Sequence, residues 1–354
     1  MKLHIVAPDI RAGDAVGNHC MYLAQSLRQH GFDTCMYARR HDADNSSPVL
    51  PMEQLFVNGA VFTPDDILLL SYSTFQPRLG ELMAMPCRKV VYFHGVTPSD
   101  LLLDHDPAAA YWSARAMLQL PLLQACDHFI ANSHWNLQDL LSRLPAPVPK
   151  ERLSVLPPVT PDMPLFGKAP RTDRPLHQPL RLITVGRLAP HKNVDDVIRM
   201  MARIMQHGVD AELTVIGSST SPDYARHLQS VANEAGVSGS VTFTGHISDA
   251  ALSACYAEAD VLVTASLHEG FCIPVLEAMH LGIPVAVRNG TAASEVAAGV
   301  GLAYDTPEQG AAAIACLTKD QAAVRRMAAA GRSRAQTLLD EADNGRLAAI
   351  LRRL

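Results

Sequence analysis

Residues 266–279 read Ser266-Leu267-His268-Glu269-Gly270-Phe271-Cys272-Ile273-Pro274-Val275-Leu276-Glu277-Ala278-Met279. Just before them the apolar run Val261-Leu262-Val263 reads as a buried strand. Pro274 suits a first helical turn, and Gly270 can supply an unusual backbone angle between strand and helix. The stretch is therefore strand, loop and helix, the repeating unit of a parallel α/β sheet. Glu269 falls in the loop and Glu277 early in the helix. A carboxylate accepts hydrogen bonds from hydroxyl pairs, and the amides at a helix start favour an anion such as a diphosphate, so the segment suits both ends of a nucleotide sugar. The plain alternative is a glutamate serving as helix-dipole partner and Phe271 as core.

A second element corroborates the first. Val185-Gly186-Arg187-Leu188-Ala189-Pro190-His191-Lys192-Asn193 follows the apolar strand Leu180 to Val185 and precedes a periodic helix. Two carboxylates near a diphosphate would repel it, and Arg187 and Lys192 are the cations such a site needs.

With Gly186-Arg187, Lys192-Asn193, Glu269-Gly270-Phe271 and Glu277-Ala278 in this order, the chain resembles the retaining glycosyltransferases of family 4. The departure is Cys272, where that family usually has a second glycine; a side chain there narrows the pocket. The resemblance implies the GT-B architecture, two Rossmann-like parallel-sheet α/β domains facing a central cleft. It implies that Arg187 and Lys192 hold the diphosphate, Glu277 the ribose hydroxyls, and Glu269 with the amides of Phe271, Cys272 and Ile273 the donor sugar. Gly270 and Leu276 complete that set in the same loop and helix. No metal is expected, and no cofactor beyond the nucleoside-diphosphate sugar as co-substrate.

Short apolar runs alternate with longer amphipathic segments in two series. The first comprises Leu3 to Ala7, Ile67 to Leu70, Val90 to Phe93, Phe129 to Ala131 and Leu153 to Leu156. The second comprises Leu182 to Val185, Leu213 to Ile216, Val241 to Phe243, Val261 to Val263 and Val285 to Val287. Between them the proline-rich stretch 161–179 reads as a linker. Domains are thus expected over 1–160 and 180–339. The tail predicts two helices broken near Asp340 to Gly345, and the resemblance implies that about 340–354 returns to the first domain.

In the first half, Ala12-Gly13-Asp14-Ala15-Val16-Gly17-Asn18 forms a glycine-containing turn into a helix over His19 to Gln29, where a backbone can approach a ligand; turn and cap geometry explains it equally well. Val91-Tyr92-Phe93-His94-Gly95 ends an apolar strand on a histidine, and strand C-termini are where such sheets bind ligands. By resemblance His94 faces the donor sugar and joins Glu269, Arg187 and Lys192 as the catalytic set, and Gly17 belongs to the donor-binding residues. His94 as a structural histidine satisfied by a carbonyl is the competing reading. His246, after Thr244-Gly245, is expected to border the nucleotide base, and His268 to tune the pocket or lie exposed in its loop.

Composition agrees. The 354 residues suit two domains, and 48% hydrophobic content is enough to bury both cores. A formal charge of −5 and a pI near 6.3, without a basic stripe, exclude a nucleic-acid binder. The seven cysteines are scattered and lack Cys-x-x-Cys spacing, as expected of free thiols in the cytoplasm. No stretch approaches the length of about 18 apolar residues that spans a bilayer, and the N-terminal run is too short for a signal peptide. Arg39-Arg40 and the Lys150/Arg152 pair read as solvated surface, with peripheral contact with the inner membrane left open.

Asp104-His105-Asp106 has the form of an Asp-x-Asp metal motif in a polar loop, but the two-domain pattern belongs to another fold. His-Glu-x-x-His, Gly-x-Ser-x-Gly and a Walker loop are missing, as is the full Gly-x-Gly-x-x-Gly of nicotinamide enzymes. The resemblance puts GDP-mannose first as donor and UDP-hexose second, with a saccharide acceptor, expected to be lipid-linked, in bacterial surface-polysaccharide synthesis. A nonenzymatic nucleotide-sugar sensor or degenerate subunit is the alternative of another class.

Overall fold

The structure is a computed structural model that describes residues 2–11, 15–42, 48–57, 62–159, 163, 165–169, 175–219 and 221–354. Its strands and helices are, in chain order, β1 (Lys2–Ile10), α1 (Ala15–Gln29), β2 (Asp33–His41), β3 (Val49–Pro51), β4 (Ile67–Tyr72), α2 (Leu79–Met83), β5 (Arg88–Phe93), α3 (Pro107–Gln119), β6 (His128–Ala131), α4 (His134–Leu141), β7 (Leu153–Val155), β8 (Leu180–Val185), α5 (Val194–Gln206), β9 (Ala211–Ile216), α6 (Pro222–Glu234), β10 (Val241–Gly245), α7 (Asp249–Glu258), β11 (Val261–Thr264), α8 (Ile273–His280), β12 (Val285–Arg288), α9 (Ala292–Ala297), β13 (Leu302–Tyr304), α10 (Pro307–Leu317), α11 (Gln321–Glu341) and α12 (Asn344–Arg353). Two compact units result. One holds Met1–Val96, Tyr111–Thr160 and Leu339–Leu354, the other Thr97–Ala110 and Pro161–Leu338.

In the first unit a parallel sheet runs β3-β2-β1-β4-β5-β6-β7. Its central strand, Ile67-Leu68-Leu69-Leu70-Ser71-Tyr72, is buried throughout, as expected of a strand covered on both faces. Alternate residues feed two cores. Leu3, Ile5 and Leu69 pack with Leu23 and Leu27 of α1, and Val6, Leu68 and Leu70 pack with Leu79, Leu120 and Leu123. The tail helix α12 joins the first of these cores through Leu347, Ala348 and Leu351. Burying each of its leucines contributes about 2 kcal/mol.

The second unit repeats the plan, with a parallel sheet of order β10-β9-β8-β11-β12-β13. Helix α5 places Val194, Val197, Ile198, Met201 and Ile204 at helical spacing on this core, with Asp195 and Asp196 in its first turn where the helix dipole favours them. Strand order reverses between β8 and β11, and ligands of such sheets bind at the C-terminal ends of the strands flanking that point. The loops there are 186–193 and 265–272.

The segment 97–110, which strand-helix alternation assigns to the first half, groups instead with the second unit. Ser221 donates its hydroxyl to the His105 carbonyl at 2.7 Å, and the His105 ring lies 4.6 Å from that of His227 and 5.3 Å from that of Tyr224. Asp106 accepts the Ala109 amide at 3.0 Å and so starts α3. Among the described residues no helix is long and apolar enough to cross a membrane, and no cluster of three metal-ligating side chains occurs.

Candidate active site

Three neighbouring strands of the second sheet, β8, β9 and β10, each end at a glycine with positive φ: Gly186 at 144°, Gly217 at 134° and Gly245 at 66°. They bond to one another. The Gly186 amide donates to the Ile216 carbonyl and the Gly217 amide to the Gly245 carbonyl, each at 3.0 Å. A Cβ on Gly217 would lie 2.0 Å from the Gly186 oxygen, so only glycine fits at the base of the Arg187 loop.

That loop is fastened to the one after β11. The Leu267 amide donates to the His191 carbonyl at 2.8 Å, and Asn193 donates its side-chain amide to the Ala265 carbonyl at 3.3 Å. Lys192 is thereby brought onto Glu269. Its Nζ donates to both carboxylate oxygens, at 2.7 and 2.8 Å, while the Ser266 hydroxyl donates to Oε1 at 2.8 Å and Thr264 supports Ser266 at 3.0 Å. Glu269 is only 9% exposed. Burial pushes its carboxyl up, but Lys192 and Ser266 outweigh it and hold the pKa below the ordinary value, so Glu269 is a carboxylate at neutral pH. An ammonium has three N–H donors, and Glu269 takes two, which leaves the third for a ligand. His191, between these groups, is driven by burial and by Lys192 to a pKa of about 3 and stays neutral. Arg187 is exposed and makes no ion pair among the described residues.

The left-handed angle expected at Gly270 falls instead at Cys272, with φ 84° and ψ 70°. A left-handed angle suits a glycine, and an L-residue there carries about 1 kcal/mol of strain. The thiol is buried, and burial and the Glu269 carboxylate both raise its pKa, so it is no thiolate. Cys272→Gly is expected to leave the melting temperature within a few degrees of wild type. Cys272→Val, whose branched Cβ opposes positive φ, is expected to cost about 2 kcal/mol in chemical denaturation.

From Cys272 the chain enters α8, whose N-terminus has no side-chain cap. Phe271 and Leu276 pack into the core, so Leu276 can offer a ligand only its backbone. Glu277, on the same helix, is buried beside Tyr256 of α7, whose hydroxyl donates to Oε2 at 2.7 Å. Burial drives its carboxyl up to about 7, the Tyr256 bond opposing and Asp249 adding to the shift. Its folded pKa lies above the ordinary 4.5, so its stabilising contribution is complete below about pH 4.5 and is lost as pH rises through about 7. The ligand-free protein is expected to lose up to about 3 kcal/mol from this group between pH 4.5 and 8, a loss that Glu277→Gln removes in urea titrations.

His246 is exposed just beyond β10, and His268 is buried rather than exposed. A cavity of about 350 Å³ in this unit is lined by residues including Arg181, Glu212, Cys255 and Glu258, none of which belongs to the set above.

In the first unit His94 follows β5 and is buried. Its Nε2 meets the Ser71 hydroxyl at 2.8 Å, its ring stacks on Tyr92 at 4.9 Å and meets His19 edge-on at 5.5 Å. Burial and His19 depress its pKa well below the usual histidine value, against a hydrogen bond with Asn132. The imidazole is neutral and held by protein side chains. Gly17 sits in the first turn of α1, where a Cβ would come 2.7 Å from the backbone nitrogen and oxygen of Arg11; this close approach accounts for the glycine. Ala12, Gly13 and Asp14 of its turn lie outside the described residues, as do 161, 162, 164 and 170–174 of the expected linker.

Ser266, Thr264, Gly217 and Tyr256 carry parts of the site that motif reading did not assign. Gly217 and Tyr256 act only through tertiary contacts and leave no local signal.

Residues 171–334 match the family described as Glycosyl transferases group 1. The chain is 31% identical to the D-inositol 3-phosphate glycosyltransferase of Corynebacterium glutamicum over 58% of its length, and spans 52% of that protein. It is 24% identical to the amylovoran biosynthesis glycosyltransferase AmsK of Erwinia amylovora over 100% of its length and 86% of that protein. The crystal structure of Anabaena Alr3699/HepE in complex with UDP and glucose superposes with a TM-score of 0.75 at 16% identity, covering 100% of both chains. The chain spans about half or less of the length of the first three curated relatives (27%, 52% and 40%). Residues 171–334 are thus similar to the Glycosyl transferases group 1 family, on a chain whose two parallel Rossmann-like sheets have the GT-B fold.

Proposed function

We propose that this protein is a retaining glycosyltransferase that moves a hexose from a nucleoside-diphosphate sugar to a saccharide acceptor. The observation that carries the proposal is the partly buried Lys192–Glu269 pair at the switch point of the second sheet, set before the uncapped start of α8. As the bond between sugar and phosphate stretches, negative charge grows on the leaving diphosphate. Arg187, the third N–H of Lys192 and the amides at the α8 start are the groups that stabilise it. No metal takes part in this reading, because those cations neutralise the diphosphate.

Glu269 orients the sugar. Both its oxygens are engaged by Lys192 and one also by Ser266, which suits a carboxylate that accepts a sugar hydroxyl better than one that attacks carbon. The acceptor then approaches the face the diphosphate leaves, with the phosphate taking its proton, and configuration is retained. His94, neutral and fixed by Ser71, serves on the sugar side as a hydrogen-bonding group rather than a cation.

GDP-mannose is the first donor and UDP-hexose the second, and the acceptor is lipid-linked, met at the cytoplasmic face of the membrane. The likeness to AmsK, a glycosyltransferase of amylovoran biosynthesis, supports a place in surface-polysaccharide assembly. The test supplies radiolabelled GDP-mannose or UDP-glucose with a bacterial lipid extract. One donor is expected to label a glycolipid from which an α-glycosidase, and no β-glycosidase, removes the label. Label removed only by a β-glycosidase would overturn retention, and no transfer from any nucleoside-diphosphate hexose would overturn the activity.

A further inference from the structure

Tyr256 lies on α7, outside every motif of the site, and is fully buried, yet its hydroxyl reaches the carboxylate of Glu277 at 2.7 Å. The bond engages Oε2, and Oε1 makes no hydrogen bond among the described residues. A carboxylate free to rotate presents either oxygen to a ligand, whereas one held at Oε2 presents Oε1 in a fixed direction. We infer that Tyr256 is a positioning residue for donor binding, holding Glu277 so that its Oε1 accepts a hydroxyl from the ribose of a nucleoside diphosphate. The inference rests on the reading of Glu277 as a donor-binding group.

A phenol bonded to a carboxylate favours its ionised form. The bond to Tyr256 therefore keeps Glu277 competent to accept a hydroxyl at a lower pH than its buried surroundings would allow. The other charged or titratable groups acting on the pair are Asp249, at the start of α7, which disfavours ionisation of Glu277, and Cys272, which acts on Tyr256. Without the Tyr256 hydroxyl the carboxylate protonates more readily and loses its fixed direction. Ligand affinity then falls most on the acid side.

Tyr256→Phe removes one oxygen and keeps the buried ring, so the fold is expected to survive. Titrations of GDP and UDP, with their 2′-deoxy and 3′-deoxy forms, are made between pH 6 and 9 on wild type, Glu277→Ala and Tyr256→Phe. Wild type is expected to bind one of these nucleotides and to lose affinity when one ribose hydroxyl is removed. Tyr256→Phe is expected to bind about 3–10-fold more weakly at pH 6.5, to recover only part of that loss at pH 8.5, where the carboxylate is ionised but no longer held, and to shift the midpoint of binding to higher pH. In turnover, KM for the donor rises while kcat holds.

Equal affinity of Tyr256→Phe and wild type across this pH range would overturn the role of Tyr256 and leave Glu277 standing. Unchanged binding in Glu277→Ala, or no nucleotide binding by wild type, would overturn the donor-site reading itself. Should Tyr256→Phe fail to fold, Asp249→Asn supplies the second variant. It removes a charge that disfavours ionisation and is expected to move the midpoint to lower pH; a midpoint that does not move would overturn the coupling.

Discussion

Glu269→Gln is expected to lower the rate of hexosyl transfer by about 100-fold or more at saturating donor, the range seen when one preorganised electrostatic contact to a transition state is removed. The substitution keeps the shape of the side chain and removes its charge. Lys192, with a side chain 24% exposed, then faces a neutral amide at the place where its ammonium bonded both oxygens. Removing one partner of a fully buried pair costs 3–5 kcal/mol, and partial exposure of Lys192 brings the expected loss of stability to about 2 kcal/mol. The two effects separate experimentally. Initial rates report the first, and urea denaturation the second. A variant that transfers within about threefold of wild type would remove Glu269 from the mechanism.

Gly217→Ala is expected to be the most destabilising single substitution near the site, by more than about 4 kcal/mol. The added methyl would lie 2.0 Å from the Gly186 carbonyl oxygen, at a φ of 134° that side chains rarely adopt. Relief requires the ends of β8 and β9 to part, which breaks the Gly186 amide bond to Ile216 and displaces Arg187. Gly236→Ala is the control. It shares a positive φ, 71°, but has open space around the site of the methyl, so only the strain of about 1 kcal/mol is expected. Differential scanning calorimetry of the two variants separates collision from strain.

Much of this was legible because strand, loop and phosphate-binding residues are contiguous. Lys192 and Glu269 stand in recognisable strings, and the strands that carry them, β8 and β11, are mostly apolar. What stayed hidden depends on distance along the chain. The expected series passed over β2 because Arg39 and Arg40 break its apolar pattern; on the ladder Arg40 stands opposite Asp9 and bonds it at 2.6 Å, so the charge pairs across strands. The brief strand β13 was missed because three residues leave almost no pattern. The positive φ was expected at a glycine and is carried by Cys272, since the helix entry, and not the residue type, dictates that angle. Tyr256 bonds a residue 21 positions away through the packing of two helices, which no local spacing encodes.

The most direct test of the central claim is isothermal titration of the purified protein with GDP-mannose, UDP-glucose and NAD, repeated with Arg187→Ala. One nucleoside-diphosphate sugar is expected to bind, with affinity reduced about tenfold or more when the Arg187 guanidinium is removed. Binding of NAD alone, or of a nucleotide sugar with equal affinity to both proteins, would contradict the assignment of the second-sheet loops as the donor site.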